Sequence, residues 1–265
     1  MGSSHRFPPK SSIHPLPKGW KTLNEASSPG KGPAFSDVHS ALAKNSATPP
    51  EVLVELAKDP DFWVRWWVAS NPNAPAEALR RLAEDKDWEI RHWVASNPNA
   101  SKEVLEKLAG DEHHQIRLAV AKNPGTSPQI LIKLVEDSRK ASYIILEEVA
   151  KHPRATEEVL AKLARHKNHE VRKMVAESPR VTPRLLTRLA RDKAKAVRAA
   201  IARNPQTPEE AFLRLARDRS PEVWEEALRR LPKPFLEELY QKELLVRLAG
   251  KGNLEKLKRI EELLG

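Results

Sequence analysis

The chain has 265 residues, of which 40% are hydrophobic and 5% aromatic, and its formal net charge is +10 at pH 7. It contains no cysteine, which excludes disulfides, thiolate metal sites and cysteine nucleophiles. No apolar run reaches the roughly 18 residues of a membrane-spanning helix. The first residues also lack the apolar stretch of a signal peptide, so we expect a cytoplasmic protein that does not enter membranes.

Residues 1–35 are rich in proline, serine, glycine and lysine. A segment of this composition buries too little apolar surface to fold alone, and we predict a flexible basic arm. Residues 1–36 carry five Lys/Arg and one Glu, which is a net charge of +4.

Residues 36–240 contain an internal repeat. Its leucines are 26 residues apart, with one interval of 29, at Leu56, Leu82, Leu108, Leu134, Leu163, Leu189 and Leu215. A branched-aliphatic column and an Asn-Pro column keep the same register. A period of this length is typical of a solenoid, in which each repeat buries its core against its neighbours. We predict an all-α solenoid of seven full repeats and a degenerate eighth.

Each repeat is predicted to contain two short helices. In the third repeat, Ile90, Trp93 and Val94 fall on one helical face, and Asp87 can cap the start of that helix. The second helix follows a Thr with capping-box spacing to a Glu or Gln, at Thr48, Thr126 and Thr207. Helices this short are not stable alone, so stacking must stabilise them.

The repeat motif resembles the variant leucine-rich repeat family. In the seventh repeat the motif is Val197-Arg198, Ile201-Ala202, Asn204-Pro205, Thr207-Pro208, Leu215-Ala216 and Asp218. The resemblance implies a right-handed superhelix of paired helices. The iron–sulfur module that can precede such repeats needs cysteines, so we expect no cofactor. A looser similarity of architecture to HEAT-like solenoids leaves a DNA glycosylase-type enzyme as one alternative.

Aromatic residues concentrate in the second and third repeats, at Phe62, Trp63, Trp66, Trp67, Trp88, His92 and Trp93. One interpretation is packing against residues 20–36 at the end of the solenoid. The other is a stacking platform for bases or a groove for a protein partner, formed by Trp63, Trp66, Trp88 and His92. We predict that Trp67 and Trp93 are mostly buried and that Trp66 and Trp88 are accessible.

An arginine recurs on the first helix of most repeats, at Arg65, Arg91, Arg117, Arg172 and Arg198. It is either a phosphate-binding stripe or an internal brace, because Asp61 and Asp87 lie four residues before Arg65 and Arg91. The fifth repeat departs from this pattern, with three extra residues before it and a leucine in place of the arginine. We interpret it as a kink or as a specialised contact through Tyr143, Glu147 and Glu148.

The charge changes sign along the repeats. Residues 37–137 sum to −4 and residues 138–265 to +10, and the stretch 162–203 has 13 Lys/Arg against three Asp/Glu. Such a patch releases counterions from a polyanion and binds nucleic acid without regard to sequence. The predicted nucleic-acid-binding residues are Lys162, Arg165, Arg172, Lys173, Arg184, Arg188, Arg191, Lys195 and Arg198. An acidic protein surface is the alternative partner.

Residues 241–265 alternate leucine with charged residues at helical spacing, as expected of a helix that caps the last repeat. The histidines at 113–114, 166 and 169 lack the spacing of a metal site, and we find no motif for a small-molecule substrate. The sequence therefore predicts a non-catalytic solenoid whose C-terminal half binds DNA or RNA backbone. A protein–protein scaffold that uses the Trp-rich repeats and a glycosylase-type enzyme are the alternatives.

Overall fold

The computed structural model describes residues 34–137, 142–248 and 253–265. Within these ranges there are seventeen helices and no strand, which confirms the all-α prediction. None of these helices is long and apolar enough to cross a membrane. The predicted basic arm and the three extra residues near 138–140 lie outside the described residues, apart from the last two positions of the arm.

The helices form two compact bodies, an N-terminal body that ends at Thr126 and a C-terminal body that begins at Ser127. Fourteen helices follow one another as seven pairs: α1 (Ala34–Lys44) and α2 (Pro50–Leu56), α3 (Phe62–Ser70) and α4 (Ala76–Leu82), α5 (Trp88–Ser96) and α6 (Lys102–Leu108), α7 (His114–Lys122) and α8 (Pro128–Glu136), α9 (Tyr143–Lys151) and α10 (Glu157–Leu163), α11 (His169–Glu177) and α12 (Pro183–Leu189), α13 (Lys195–Arg203) and α14 (Glu209–Leu215). The chain then continues with α15 (Pro221–Leu228), α16 (Lys233–Leu248) and α17 (Leu254–Leu264).

The core of both bodies is aliphatic and follows the repeat columns. Every leucine of the 26-residue column is buried, with at most 4% of its surface exposed. The branched residues of the first helices, from Val64 to Val223, are at most 1% exposed. Full burial of one such side chain stabilises the fold by about 1.5–3 kcal/mol, so the two columns account for the register of the repeats.

The asparagine of each Asn-Pro turn joins its repeat to the preceding one. Asn97 Nδ2 donates to the backbone oxygens of Ala69 and Asn71, each at 2.9 Å, and its Oδ1 accepts from Asn99 N. The corresponding donors in the other repeats are Asn71, Asn123, Ser178 and Asn204. These buried side chains satisfy carbonyls that the helix ends leave without partners.

The threonines Thr48, Thr126 and Thr207 do not cap the second helices, so the capping-box prediction is wrong. Each hydroxyl donates to the carbonyl six residues earlier, at 2.6 Å. The helix starts one residue later, with the following Pro or Ser at the N-cap position. Thr156 and Thr182 do accept from a backbone N–H as caps.

In four repeats, an arginine of the first helix pairs with an aspartate in the turn after the second helix. Arg172 Nε and Nη2 donate to the two carboxylate oxygens of Asp192, at 2.6 and 2.8 Å. The third nitrogen, Nη1, donates to the backbone oxygens of His166 and Lys167. The matching pairs are Arg65–Asp85, Arg91–Asp111 and Arg198–Asp218, again 20 residues apart. Four of the five arginines in the column therefore form the internal brace that we considered, with an aspartate 20 residues later as the partner.

Local spacing predicted Asp61 as the partner of Arg65 and Asp87 as the partner of Arg91, and both predictions are wrong. Asp87 lies four residues before Arg91, yet its carboxylate accepts from Arg65 Nη2 at 2.8 Å. It occupies the N-cap position of α5 without making a side-chain capping bond. Asp61 caps α3 by accepting from Trp63 N.

The fifth repeat lacks both members of the brace. Leu146 takes the arginine's position and is buried. His166 stands where the aspartate would be, and its Nδ1 accepts from Asn168 N at 3.1 Å. Tyr143 at the start of α9 is 48% exposed, and Glu147 forms an ion pair with Lys151.

The last repeat is braced by a residue from outside the repeat. Trp224 occupies the arginine's position in α15 and is 1% exposed. Lys256 of α17 lies over the Trp224 ring, and its Nζ donates at 3.4 Å to Asp218 O. In the preceding repeat, Arg198 Nη1 makes the equivalent bond to Asp192 O. Burial lowers the pKa of Lys256.

Candidate nucleic-acid interface

Two of the predicted nucleic-acid-binding residues belong to the brace. Arg172 is 6% exposed, and both it and Arg198 have their guanidinium groups bonded to an aspartate and to backbone carbonyls. The attached carboxylates raise the pKa of both arginines above the ordinary value, although burial opposes the shift. The guanidinium groups of these two residues are therefore engaged in contacts within the fold.

The remaining predicted cations lie at the surface but differ in their partners. Lys162 forms an ion pair with Glu136, Lys173 lies between Glu170 and Glu177, and Lys195 is 3.8 Å from Glu222. The exposed arginines of the set are Arg165, Arg184, Arg188 and Arg191. Arg191 follows the C-cap Ala190 and so lies beyond α12 and not on its helical face.

The short turns that follow α10, α12 and α14 each carry two cations. The three turns are Arg165-His166-Lys167, Arg191-Asp192-Lys193 and Arg217-Asp218-Arg219. We call their six outer residues the basic edge. The central side chain of each turn points inward and accepts a hydrogen bond from the backbone N–H two residues later. The residues on either side are therefore turned out to solvent, where all six are exposed.

The six cations of the basic edge have no carboxylate partner at ion-pair distance in the part of the chain that the structure describes. The helix C-terminus behind each turn presents carbonyl oxygens, whose negative ends favour cations there. This local effect explains why cations are tolerated at the turn. It does not explain why all six positions carry one, because an ordinary solvated edge mixes both signs.

Clefts open between successive turns of the basic edge. One, of about 440 Å³, is lined by Arg165, Lys167, Arg188, Arg191 and Lys193. The next, of about 640 Å³, is lined by Arg191, Arg214, Arg217 and Arg219, with Glu210 as its exposed carboxylate. Both clefts contain buried braces at their base, so their positive charge comes from exposed side chains.

The N-terminal body has a cleft at the same place in its repeats, but fewer exposed cations line it. That cleft, of about 590 Å³, is lined by Lys58, Arg81 and Lys86 together with Glu84 and the brace residue Asp85. The following turn, Gly110-Asp111-Glu112, carries no cation at all. The repeat fold therefore supplies the cleft, and the flanking residues decide its charge.

Four cations of the basic edge were missed from the sequence: Lys167, Lys193, Arg217 and Arg219. The net charge of the stretch 162–203 located the region but ended before the third turn. A comparison of the residues on either side of the brace aspartate, repeat by repeat, would have found all six.

The predicted aromatic residues come together on α3 and α5. Trp66 contacts Trp63, Trp67 and Trp93 edge to face, with ring centroids 6.1, 4.6 and 4.9 Å apart. Trp63 is 47% exposed, whereas Trp66, Trp67, Trp88, His92 and Trp93 are half-buried. Exposure therefore does not separate Trp67 and Trp93 from Trp66 and Trp88 in the way that we predicted.

The carboxylates beside the aromatic residues, and one of the histidines that we considered for a metal site, have structural partners. Asp61 caps α3 by accepting from Trp63 N, and Asp87 accepts from Arg65 Nη2. His113 stacks on Trp88 with a centroid distance of 5.4 Å. In the described ranges no group of three His, Asp or Glu side chains is arranged to hold a metal ion.

Comparison with known families identifies the repeat. A family model described as leucine rich repeat variant matches residues 62–87 and 88–113. A second, described as leucine rich repeat variant domain, matches residues 146–205. Comparison with curated proteins finds no match.

Comparison with solved structures supports the same fold. A leucine-rich repeat variant with a novel repetitive structural motif is similar over 90% of this chain and 92% of its own, at 22% identity and a TM-score of 0.57. An engineered protein has a TM-score of only 0.32 at 18% identity and carries no argument. This chain is thus an α-helical repeat protein, and residues 62–113 of its N-terminal body and residues 146–205 of its C-terminal body match the leucine-rich repeat variant.

Proposed function

We propose that the C-terminal body binds the phosphate backbone of DNA or RNA through the basic edge, without sequence preference. Helical solenoids present extended surfaces to partners, and here one such surface has a single sign of charge. The observation that carries the proposal is the set of six exposed cations without ion-pair partners, two in each of three consecutive turns. Residues 127–265 carry 30 Lys/Arg against 21 Asp/Glu, so the surrounding field has the same sign.

The spacing of the turns suits a polymer of phosphates. Packed helices lie about 8–10 Å apart, which is about three steps of the 3.4 Å rise along a duplex axis. Successive turns would therefore contact phosphates about three base pairs apart along the duplex. Lys and Arg contacts to phosphate fix position but read no base, which is why we expect no sequence preference.

The experiment compares two variants of equal charge change. Arg165→Glu/Arg191→Glu/Arg217→Glu reverses one cation in each turn of the basic edge. Arg81→Glu/Lys86→Glu/Lys102→Glu reverses three exposed cations of the N-terminal body and is the matched control. Binding is measured by fluorescence anisotropy with a labelled duplex of arbitrary sequence at low salt.

We expect the basic-edge variant to bind about 100-fold more weakly, since three contacts of about 1 kcal/mol each are lost and repulsion is added. The control should stay within about threefold of the unmodified chain. Equal losses in both variants would reduce the effect to net charge and contradict the proposal. Binding of an acidic polypeptide such as polyglutamate in preference to the duplex would favour the acidic protein partner instead.

A further inference from the structure

The N-terminal body has an aromatic surface that the proposed function does not use. We call Phe62, Trp63, Trp66 and Trp93 the Trp face. Their rings form a chain of edge-to-face contacts, from Phe62 to Trp63 at 5.2 Å, Trp63 to Trp66 at 6.1 Å and Trp66 to Trp93 at 4.9 Å. Trp63, which contacts both Phe62 and Trp66, has the largest exposed fraction of these rings. An aromatic cluster left open to water is typical of an interaction site.

The Trp face lies beside helix α1. Lys44 at the end of α1 lies over the Trp67 ring at 4.4 Å, which places α1 beside α3. The α1 residues Ser40 and Ala41, at the repeat positions of Trp66 and Trp67, carry small side chains. On the same helix Val38 is 41% exposed, whereas Val64, at the same position of the next repeat, is fully buried. The first repeat therefore leaves apolar surface exposed on α1.

The chemistry of the Trp face fits a proline-rich extended peptide. Proline rings stack on flat aromatic surfaces, and a polyproline II segment binds with little loss of entropy because its backbone is preset. Residues 7–18 of this chain, Phe-Pro-Pro-Lys-Ser-Ser-Ile-His-Pro-Leu-Pro-Lys, hold four prolines and two lysines and no carboxylate. The N-terminal body is acidic, with 11 Lys/Arg and 14 Asp/Glu in residues 34–126, and Asp37 is exposed on α1.

The tether is long enough for this segment to reach the Trp face. The fifteen residues between Lys18 and Ala34 span up to about 50 Å when extended. The start of α1 and the rings of α3 are within about 20 Å, given a helix of eleven residues and a neighbouring helix about 10 Å away. A nucleic acid is the poorer occupant, because the acidic body repels its phosphates.

We propose that residues 7–18 of this chain dock on the Trp face as a proline-rich ligand held in cis. The prolines pack on Trp63 and Trp66, and Lys10 and Lys18 lie toward the carboxylates around them. The Trp face is then an intramolecular site that a proline-rich segment of another protein would have to compete for.

The absence of cysteine allows a direct test on the full chain. Ser12→Cys is labelled with a nitroxide, and the indole N–H signals of the tryptophans are followed by NMR, each assigned by a Trp→Phe variant. We expect the Trp63 and Trp66 signals to lose most of their intensity. Trp224, buried in the C-terminal body, should keep its signal and is the internal control. No selective loss at Trp63 and Trp66 would overturn the proposal.

Two further arms separate the alternatives. Pro15→Ala/Pro17→Ala in the labelled chain should restore most of the Trp63 and Trp66 signal, and unchanged broadening would show that the prolines do not make the contact. Mixing labelled chain with isotope-enriched unlabelled chain tests for exchange between molecules. Broadening of equal size in that mixture would assign the Trp face to a second copy and overturn docking in cis.

Discussion

Replacing one brace arginine should lower the unfolding free energy of the C-terminal body much more than replacing both members of the pair. In Arg172→Leu, the Asp192 carboxylate keeps only 8% of its side-chain surface exposed and loses both guanidinium bonds. The carbonyls of His166 and Lys167 lose their donor as well. Breaking a buried pair from one side costs about 3–5 kcal/mol, and we expect a loss of unfolding free energy in that range.

The fifth repeat supplies the matched double variant. Leu146 and His166 occupy the two brace positions there. His166 Nδ1 accepts a hydrogen bond from Asn168 N, just as Asp192 Oδ1 accepts one from Ala194 N. Arg172→Leu/Asp192→His copies this arrangement into the sixth repeat. Because no carboxylate is left buried without a partner, we expect the double variant to recover about 2 kcal/mol or more of the single variant's loss.

Urea unfolding of the full chain, followed by far-UV circular dichroism, measures both variants against the unmodified chain. Asp192→His alone completes the double-mutant cycle. The reasoning would be refuted if the losses of the two single variants simply added in the double variant. A loss below about 1 kcal/mol in Arg172→Leu would also contradict it, because that is the size of an exposed ion pair.

Three further expectations follow from the contacts. Burial raises the pKa of Asp192, but the bonds from Arg172 and from Ala194 N and the charges of Arg172 and Arg198 together outweigh burial and lower the pKa below the ordinary value. The brace therefore stabilises the fold above about pH 3.9, the unfolded value, and its contribution is lost as pH falls through the folded value. The stability difference between Asp192→Asn and the unmodified chain should thus shrink in thermal unfolding below about pH 4. Asn97→Ala should cost about 2–4 kcal/mol in urea unfolding, since it leaves the oxygens of Ala69 and Asn71 without this donor. Ser178→Ala, which removes one such bond, should cost about 1–2 kcal/mol.

Local periodicity was enough to predict the helices and the core. The leucine and branched-aliphatic columns depend only on which face of a short helix is buried, and the structure buries both throughout. The brace needed more, because its partner is set by how the two helices of a repeat pack and not by the turn of one helix. The signal was nevertheless present: where Leu146 replaces the arginine, His166 replaces the aspartate 20 residues later.

Net charge along the sequence located the candidate interface but did not identify which of its residues face solvent. Net charge does not distinguish Arg172, which is buried in the brace, from Arg165, which faces solvent. That distinction arises in the turns, where the inward aspartate or histidine forces its two neighbours outward. The aromatic residues show the same limit, since Trp66 and Trp67 are adjacent in sequence and both end up half-buried through contacts with neighbouring helices.

The central claim, that the basic edge binds phosphates, is tested most directly by the salt dependence of duplex binding. Six neutralised phosphates predict a slope of about −5 in a plot of log affinity against log salt concentration. Arg165→Glu/Arg191→Glu/Arg217→Glu should flatten this slope by about three units or more. A slope flatter than about −2 for the unmodified chain, or one that this variant leaves unchanged, would contradict the account.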